Sequence, residues 1–366
     1  MDKKKVVYVL GAGFSIEAGA PSQENLVQSI FNTFDAAPSI IGVKKMKEFR
    51  TFLSTTMQIP DTLQSSIPLE DIFTPLDRCI LDNLSFRNLG VSELKNKRNL
   101  IFEIIGKTLQ YILETSDKGY IDIFATHLIS LAEVRKNHNY SNEDPVSVIS
   151  TNWDILLDNS LHNKLSNQTA VVDYCCHISS YDKDDHKVKP GLEILGMGGF
   201  NVKLIKLHGS LNWLQCPKCC RLFVKFNEKI AMNPYAGEIK PKCRHCNDNF
   251  GLSDSHILIS NLVMPTFLKD LSNPQYKILW QNAGIELSEA KKIVFIGYSL
   301  PQADFEMRQL LSRMIDVNTE IEVVDYKGKK DNGKFDSLIS NYTQFFGRKV
   351  NSFQDGTAKY ILNKLL

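Results

Sequence analysis

The sequence predicts an α/β fold: a parallel sheet that carries a helical insertion and a small cysteine-containing lobe. Short apolar runs alternate with helical periodicities at both ends of the chain. Residues 44–136 contain few strand signals, and two Cys-x-x-Cys pairs interrupt the alternation at residues 212–251. Because 366 residues exceed what one hydrophobic core usually supports, a second lobe or insertion is expected.

The composition excludes several classes of protein. Hydrophobic residues make up 43% and charged residues 23%, which is typical of a folded globular chain and excludes a disordered or fibrous one. The net charge is only +2, so no electrostatic nucleic-acid interface is expected. No apolar run is long enough for a membrane span, and the N-terminus does not resemble a signal peptide. The cysteine usage then favours a reducing, cytoplasmic location without membrane contact.

The elements follow in the order of a parallel α/β sheet. The first is an apolar strand at residues 6–10, followed by a glycine-rich turn and a helix at about 23–34. After the insertion, strands alternate with helices near 276–290 and 303–315. These later strands are predicted at residues 146–149, 202–207, 293–296 and 320–324. Polar residues follow several strand ends, where parallel sheets bind their ligands.

The turn after the first strand is a candidate phosphate site. Its glycines, Gly11 and Gly13, stand where the strand gives way to a helix, so backbone N–H groups could approach a phosphate. The predicted cradle consists of Gly11, Ala12, Gly13, Phe14 and Ser15. The alternative is a plain tight turn, because the spacing departs from G-x-G-x-x-G.

The second motif, Thr151-Asn-Trp-Asp154, follows the strand at residues 146–149. Asn152 and Asp154 lie two residues apart, on the same side of an extended backbone, and an amide beside a carboxylate suits ribose hydroxyls. The alternative is that Thr151 or Asn152 caps a helix at residues 153–163.

The third motif places a histidine at a strand end. The apolar run at residues 202–207 is followed by His208 and then by a glycine. A histidine there is suited to act as a general base near neutral pH. The alternative is a histidine with a purely structural hydrogen bond.

Two Cys-x-x-Cys pairs predict a structural zinc site. The pairs Cys216/Cys219 and Cys243/Cys246 are separated by 23 residues, a spacing typical of a zinc ribbon. Four thiolates leave no open position for catalysis, so the metal is expected to stabilise the lobe. Cys220 follows Cys219 directly, and the sequence leaves open which of the two is the ligand. Disulfides or free thiols are the alternative.

The last strands contribute a second group of ligand-binding candidates. Gly297 and Ser299 follow the strand at 293–296, and Asp325 ends the strand at 320–324. A carboxylate at such a position commonly holds a ribose diol. Structural turns are the alternative.

Taken in order, Gly-Ala-Gly-Phe-Ser, Thr-Asn-Trp-Asp, Leu-His-Gly-Ser, the paired Cys-x-x-Cys and Ile-Gly-Tyr-Ser-Leu resemble the sirtuin family over residues 6 to about 325. The resemblance implies a Rossmann-like sheet that binds NAD, a zinc-ribbon lobe and cleavage of the nicotinamide–ribose bond. Two segments depart from the deacylating sirtuins: residues 20–25, and residues 264–270 after the zinc module. An acyl-lysine peptide is therefore not the expected substrate.

The insertion at residues 44–136 is similar to that of the sirtuin-like proteins of bacterial anti-phage defence. This resemblance implies an NAD hydrolase in which His208 accepts a proton, Asn152 positions water or ribose, and Asp154 orients neighbouring hydrogen bonds. It also suggests a HerA-type ATPase partner in a large assembly. Because an NAD hydrolase must be restrained in a healthy cell, we expect activity to depend on a homo-oligomer or a partner, with the apolar-rich insertion as contact surface. The alternatives are a protein deacylase or ADP-ribosyltransferase, and a sensor that binds NAD or ADP-ribose without turnover.

Overall fold

The computed structural model contains two sheets and three hydrophobic clusters. It describes residues 5–114, 116–137, 144–182, 188, 191–232, 241–250, 256–264, 269–328 and 332–366. In these ranges the strands are β1 (Val6–Leu10), β2 (Val146–Ser150), β3 (Ala170–Asp173), β4 (Ile178–Ser180), β5 (Phe200–Lys206), β6 (Gly209–Gln215), β7 (Leu222–Val224), β8 (Ile259–Leu262), β9 (Lys292–Ile296), β10 (Glu320–Val324) and β11 (Asn351–Phe353).

Seven strands form a parallel sheet in the order β11-β10-β9-β1-β2-β5-β3. The central strands β1 and β2 are almost entirely buried, as expected where both faces of a parallel sheet are covered. Leu10 pairs with Ser150 on one side and with Ile296 on the other, so β1, β2 and β9 end level. The chain extends the sheet to opposite sides of β1, and this reversal of strand order creates a crevice at the carboxyl ends.

The helices include three that the periodicities predicted, near residues 23–34, 276–290 and 303–315. In chain order, the helices are α1 (Gly13–Ile16), α2 (Leu26–Ala36), α3 (Pro38–Ile41), α4 (Val43–Thr51), α5 (Leu69–Leu81), α6 (Val91–Glu114), α7 (Gly119–Ala132), α8 (Leu156–Leu165), α9 (Gly191–Gly196), α10 (Arg244–Phe250), α11 (Pro274–Glu289), α12 (Phe305–Met314), α13 (Lys334–Phe346) and α14 (Thr357–Lys364). None of the helices in the described ranges combines the length and the apolar character needed to cross a membrane.

The helices α2 to α6 form a helical lobe with its own hydrophobic cluster. Ile30, Phe49, Phe73 and Ile105 are fully buried in this cluster. Helix α7 lies within the predicted insertion, but its apolar side chains, such as Phe124, pack in the main cluster around the sheet. The bounds 44–136 remain a prediction, and the packing places α7 with the sheet.

A smaller four-stranded sheet, ordered β4-β7-β6-β8, carries α10 and the cysteine pairs, and we call this unit the cysteine lobe. Strand β6 begins directly after His208, so the cysteine lobe is joined to the edge of the main sheet where polar residues collect. Residues 233–240 and 251–255, within or beside the predicted zinc-ribbon module, lie outside the described residues.

Candidate functional site

The glycine turn after β1 packs against the loop after β9. The N–H of Gly13 donates to the carbonyl of Gly297 over 2.9 Å, and the N–H of Gly11 donates to the carbonyl of Ile296 over 3.1 Å. A Cβ atom on Gly13 would lie 2.5 Å from Gly297 Cα. These glycines are therefore required by contact between two backbones, in addition to any role in binding a ligand.

This contact makes Gly297, in the loop after β9, sensitive to substitution. It has a φ of +60°, and an added Cβ would lie 2.2 Å from the backbone of Gly13. Gly297→Ala should lower the free energy of unfolding by about 3 kcal/mol or more, because a positive φ and a backbone clash add together. Gly347 is the matched control, since its φ is +63° and nothing lies within 4 Å of an added Cβ. Gly347→Ala should cost only about 1 kcal/mol in urea unfolding, and equal losses would contradict the clash.

Four of the five predicted cradle residues donate their backbone N–H to backbone carbonyl groups of other described residues. Besides the two glycines, Phe14 donates to Gly11 and Ser15 donates to Ala12. The side chain of Phe14 is buried against α7, and the Tyr120 hydroxyl donates to the Phe14 carbonyl over 2.6 Å. Phe14 thus anchors the turn to the main core.

The motif after β2 contacts this turn from the other side. Asn152 Nδ2 donates to the carbonyl of Gly11 over 2.8 Å, and the Ser15 hydroxyl donates to Asp154 Oδ2 over 2.9 Å. Thr151 donates its N–H to the carbonyl of Leu10 over 3.0 Å, which continues the β1–β2 pairing. Asn152 and Asp154 are thereby held beside the glycine turn.

The helix after this motif begins later than predicted. Helix α8 starts at Leu156 and not at residue 153, and the Leu156 N–H is bound by Asp154 Oδ1 at 3.1 Å. The alternative assignment of Thr151 or Asn152 as the cap is therefore wrong. The carboxylate of Asp154 binds the free N–H, while Asn152 is committed to the glycine turn.

His208 follows β5 and is buried, with 5% of its surface exposed. Its Nε2 lies 3.3 Å from Oδ1 of Asp304, the residue that precedes α12. Burial on its own raises the pKa of Asp304, but the charges of His208 and Lys269 and the hydrogen bond from Tyr298 outweigh it and hold this pKa below its ordinary value. The aspartate is thus an anion that faces the histidine.

These groups surround one cavity of about 310 Å³ at the carboxyl ends of the strands. Helices of the helical lobe close one wall with Leu26, Leu69 and Leu109. Gly11 and Phe14 are not among the residues that line it. The predicted residues that do line it are Ala12, Gly13, Ser15, Thr151, Asn152, Asp154, His208, Gly297, Ser299 and Asp325.

Two contributions to this cavity are not predictable from local sequence patterns. Asp304 was visible only as a polar residue at a helix start, and nothing in the local pattern links it to His208. In the sequence, Leu26, Leu69 and Leu109 of the helical lobe have the pattern of ordinary core positions of amphipathic helices. Both contributions arise from contacts between segments far apart in the chain.

The four cysteines of the two pairs converge. Their sulfur atoms all lie within 4.8 Å of one another, with 3.8 Å between Cys216 and Cys246 and 3.7 Å between Cys219 and Cys243. A disulfide needs about 2.05 Å, so these are separate thiols. Tetrahedral zinc with Zn–S bonds of about 2.3 Å places its sulfurs about 3.8 Å apart. The set therefore fits a structural zinc ion.

The structure also distinguishes between the adjacent cysteines. Cys219 belongs to the four-sulfur cluster and Cys220 does not. Cys220 has a φ of +58°, and its N–H donates to the carbonyl of Cys216, which closes the turn around the site. The ligand left open by the sequence is thus Cys219.

No protein-family model matches the chain, and no curated protein matches its sequence. Solved structures of sirtuin type are similar over most of their length. A Sir2 homologue in complex with NAD is 13% identical, with 99% of this chain and 88% of that chain covered and a TM-score of 0.43. A Sir2 variant with a p53 peptide and NAD is 12% identical, at 98% and 90% coverage and a TM-score of 0.38. A Sir2 homologue variant with ADP-ribose is 14% identical, at 96% coverage of both chains and a TM-score of 0.34.

Proposed function

We propose that this chain binds NAD in the 310 Å³ cavity and hydrolyses its nicotinamide–ribose bond. The observation that supports this most strongly is that Asn152, Asp154 and His208 line one cavity together with the glycine turn after β1. Such a crevice, where the strand order reverses, is the usual nucleotide site of an open parallel sheet. An amide, a carboxylate and an imidazole are the groups needed to hold a ribose and move a proton.

In this proposal the pyrophosphate lies beside Ala12, Gly13 and Ser15, the residues of the turn that line the cavity. The adenosine half lies toward Gly297, Ser299 and Asp325. Asp325 follows β10, so its carboxylate is placed to accept hydrogen bonds from a ribose diol. The nicotinamide ribose then lies beside Asn152 and His208, at the ends of β2 and β5. This orientation follows from the strand order β10-β9-β1-β2-β5.

His208 acts as the general base of the proposed reaction. As the C–N bond to nicotinamide breaks, water attacks the anomeric carbon, and His208 accepts a proton from the water or from a ribose hydroxyl. Asn152 orients the ribose or the water, and Asp154 maintains the hydrogen bonds around them. The products are nicotinamide, ADP-ribose and one proton.

The packing of the helical lobe supports water, and not a peptide, as the acceptor. Leu211, Ala231 and Met264 of the cysteine lobe and its connections are buried in the cluster of the helical lobe. Helix α6 also contacts the 3-10 turn Ile230–Met232. The helical lobe thus packs against the side where a peptide would have to enter between the sheet and the cysteine lobe. Residues 265–268, part of the segment that differs from the deacylases, lie outside the described residues.

Incubating the purified protein with NAD and measuring nicotinamide and ADP-ribose by chromatography tests the proposal. Stoichiometric release of both without any added acceptor is expected. Release that requires an acyl-lysine peptide or a protein acceptor would replace hydrolysis by deacylation or ADP-ribosyl transfer. Calorimetric binding of NAD without any release, under every condition tried, would instead identify a sensor.

We further propose that the activity is regulated by assembly, since unrestrained NAD hydrolysis depletes a cofactor that the cell needs. The proposed role is an effector of anti-phage defence, active as a homo-oligomer or beside a HerA-type ATPase. The helical lobe is the proposed contact surface, because it exposes apolar side chains at the end of α5. Leu81 is 59% exposed and Leu84 is 54% exposed.

Replacing Leu81 and Leu84 with aspartate should lower the mass of the assembly measured by light scattering, because two charges would be buried in the contact. Val317→Asp is the matched control: Val317 is 78% exposed, lies outside the helical lobe and should leave the mass unchanged. An unchanged mass in the double variant, or a monomeric wild type that stays monomeric with the ATPase added, would exclude this surface.

A further inference from the structure

The imidazole of His208 lies beside the carboxylate of Asp304, which has no role in the reaction proposed above. Nε2 of His208 lies 3.3 Å from Oδ1 of Asp304, and both side chains are about 6% exposed. Nε2 makes no well-aligned hydrogen bond with any described residue, so the ion-pair contact with Asp304 is the polar contact that they offer it. This ion pair connects the loops after β5 and β9, and both of its residues line the cavity.

Asp304 is itself held rigidly. The Tyr298 hydroxyl donates to Oδ2 over 2.8 Å, and Lys269 Nζ lies 3.1 Å from Oδ1. The side chain of Lys269 is only 1% exposed and also pairs with Glu306 at 2.6 Å. A buried carboxylate is costly to maintain unless it is paired, and here the Tyr298 hydrogen bond fixes its position while the Lys269 ammonium compensates its charge.

We propose that Asp304 is a positioning residue for His208, a role that rests on the proposed hydrolysis. Asp304 accepts the Nε2–H, which leaves Nδ1 with the lone pair that receives the proton. When Nδ1 takes a proton from water or a ribose hydroxyl, the resulting imidazolium lies beside a fixed anion. Asp304 itself stays unprotonated throughout. The aspartate of a serine-protease triad supports its histidine in the same way.

Replacing the carboxylate by an amide of the same shape tests this role in NAD turnover. Asp304→Asn should lower kcat for nicotinamide release about 10²-fold or more while KM changes less than about threefold, because the amide keeps the shape of the cavity and loses only the support of the proton transfer. The matched control is Glu306→Gln, which removes the other carboxylate on Lys269 without touching His208 and should change kcat less than about threefold. Added formate should restore part of the activity of Asp304→Ala, whereas chloride should not.

A second measurement is independent of turnover. The ¹⁵N chemical shifts of the His208 ring, identified by the signals that His208→Gln removes, should show a proton on Nε2 in the wild type and a loss of this preference in Asp304→Asn, because the hydrogen bond at one ring nitrogen sets the tautomer. If the wild type does not cleave NAD, the proposed hydrolysis fails but these shifts still decide the positioning role. Unchanged ring shifts in Asp304→Asn, or an unchanged kcat in an active enzyme, would overturn it.

Discussion

His208→Ala is expected to reduce nicotinamide release from NAD by about 10²–10⁴-fold, the usual contribution of a general base. The loss should fall on kcat, because the imidazole is needed to accept the proton and the cavity provides most of the binding surface. Chromatographic initial rates at saturating NAD measure it. Thermal unfolding should show that the variant stays folded, since the ring makes a single polar contact within the described residues.

Two further variants make this test specific. Asn152→Ala should also abolish release, and it removes the hydrogen bond to the Gly11 carbonyl. His177→Ala is the control, because His177 is an exposed histidine outside the cavity and should keep wild-type rates. Near-normal release by His208→Ala, or unfolding of that variant, would remove His208 from the proposed mechanism.

The second large effect is expected from loss of zinc. Cys243→Ser should abolish zinc binding and unfold the cysteine lobe, because metal binding to such a site contributes about 10–16 kcal/mol that the lobe cannot otherwise supply. The cluster around the cysteines is small: Leu214, Phe223, Ile230 and Leu258 are its buried apolar members besides the thiols. Zinc content by mass spectrometry and hydrogen exchange over residues 209–250 measure the two effects.

Cys220→Ser is the matched control for the zinc prediction. Cys220 adjoins Cys219 but lies outside the four-sulfur cluster, so this variant should retain one zinc ion per chain. Loss of zinc in Cys220→Ser together with retention in Cys219→Ser would show that Cys220, and not Cys219, is the zinc ligand. Because β6 begins directly after His208, loss of the lobe should also lower the proposed NAD turnover.

Five strands of the main sheet and the local motifs were predictable because their signals are local, whereas β3, β4, β6, β7, β8 and β11 were not predicted. The buried run of β1, bounded by Gly11, and the spacing of the cysteine pairs follow from short-range patterns, and the parallel sheet and the cysteine cluster are confirmed. The predicted start of α8 at residue 153 was wrong, because Asp154, and not an earlier residue, binds the free N–H of Leu156 at the start of the helix. The predicted catalytic and binding roles, the cytoplasmic location and the partners stay predictions.

Contacts between distant segments were not predictable. The approach of Gly297 to Gly13 joins loops that are separated by most of the chain, and no residue pattern near either loop reports the other. The same holds for the pair formed by His208 and Asp304. A sequence pattern specifies which residues end a strand, whereas the strand order decides which of those ends become neighbours.

The position of β1 between β2 and β9 has a consequence for how the protein is made. Strand β1 leaves the ribosome before both of its neighbours, and it pairs on one side with residues 146–150 and on the other with residues 292–296. At a synthesis rate of about 5–20 residues per second, the nascent β1 waits roughly 15–60 s for its second neighbour. The crevice between β1 and β9 cannot exist before then, so an interrupted translation product that lacks β9 carries no complete crevice.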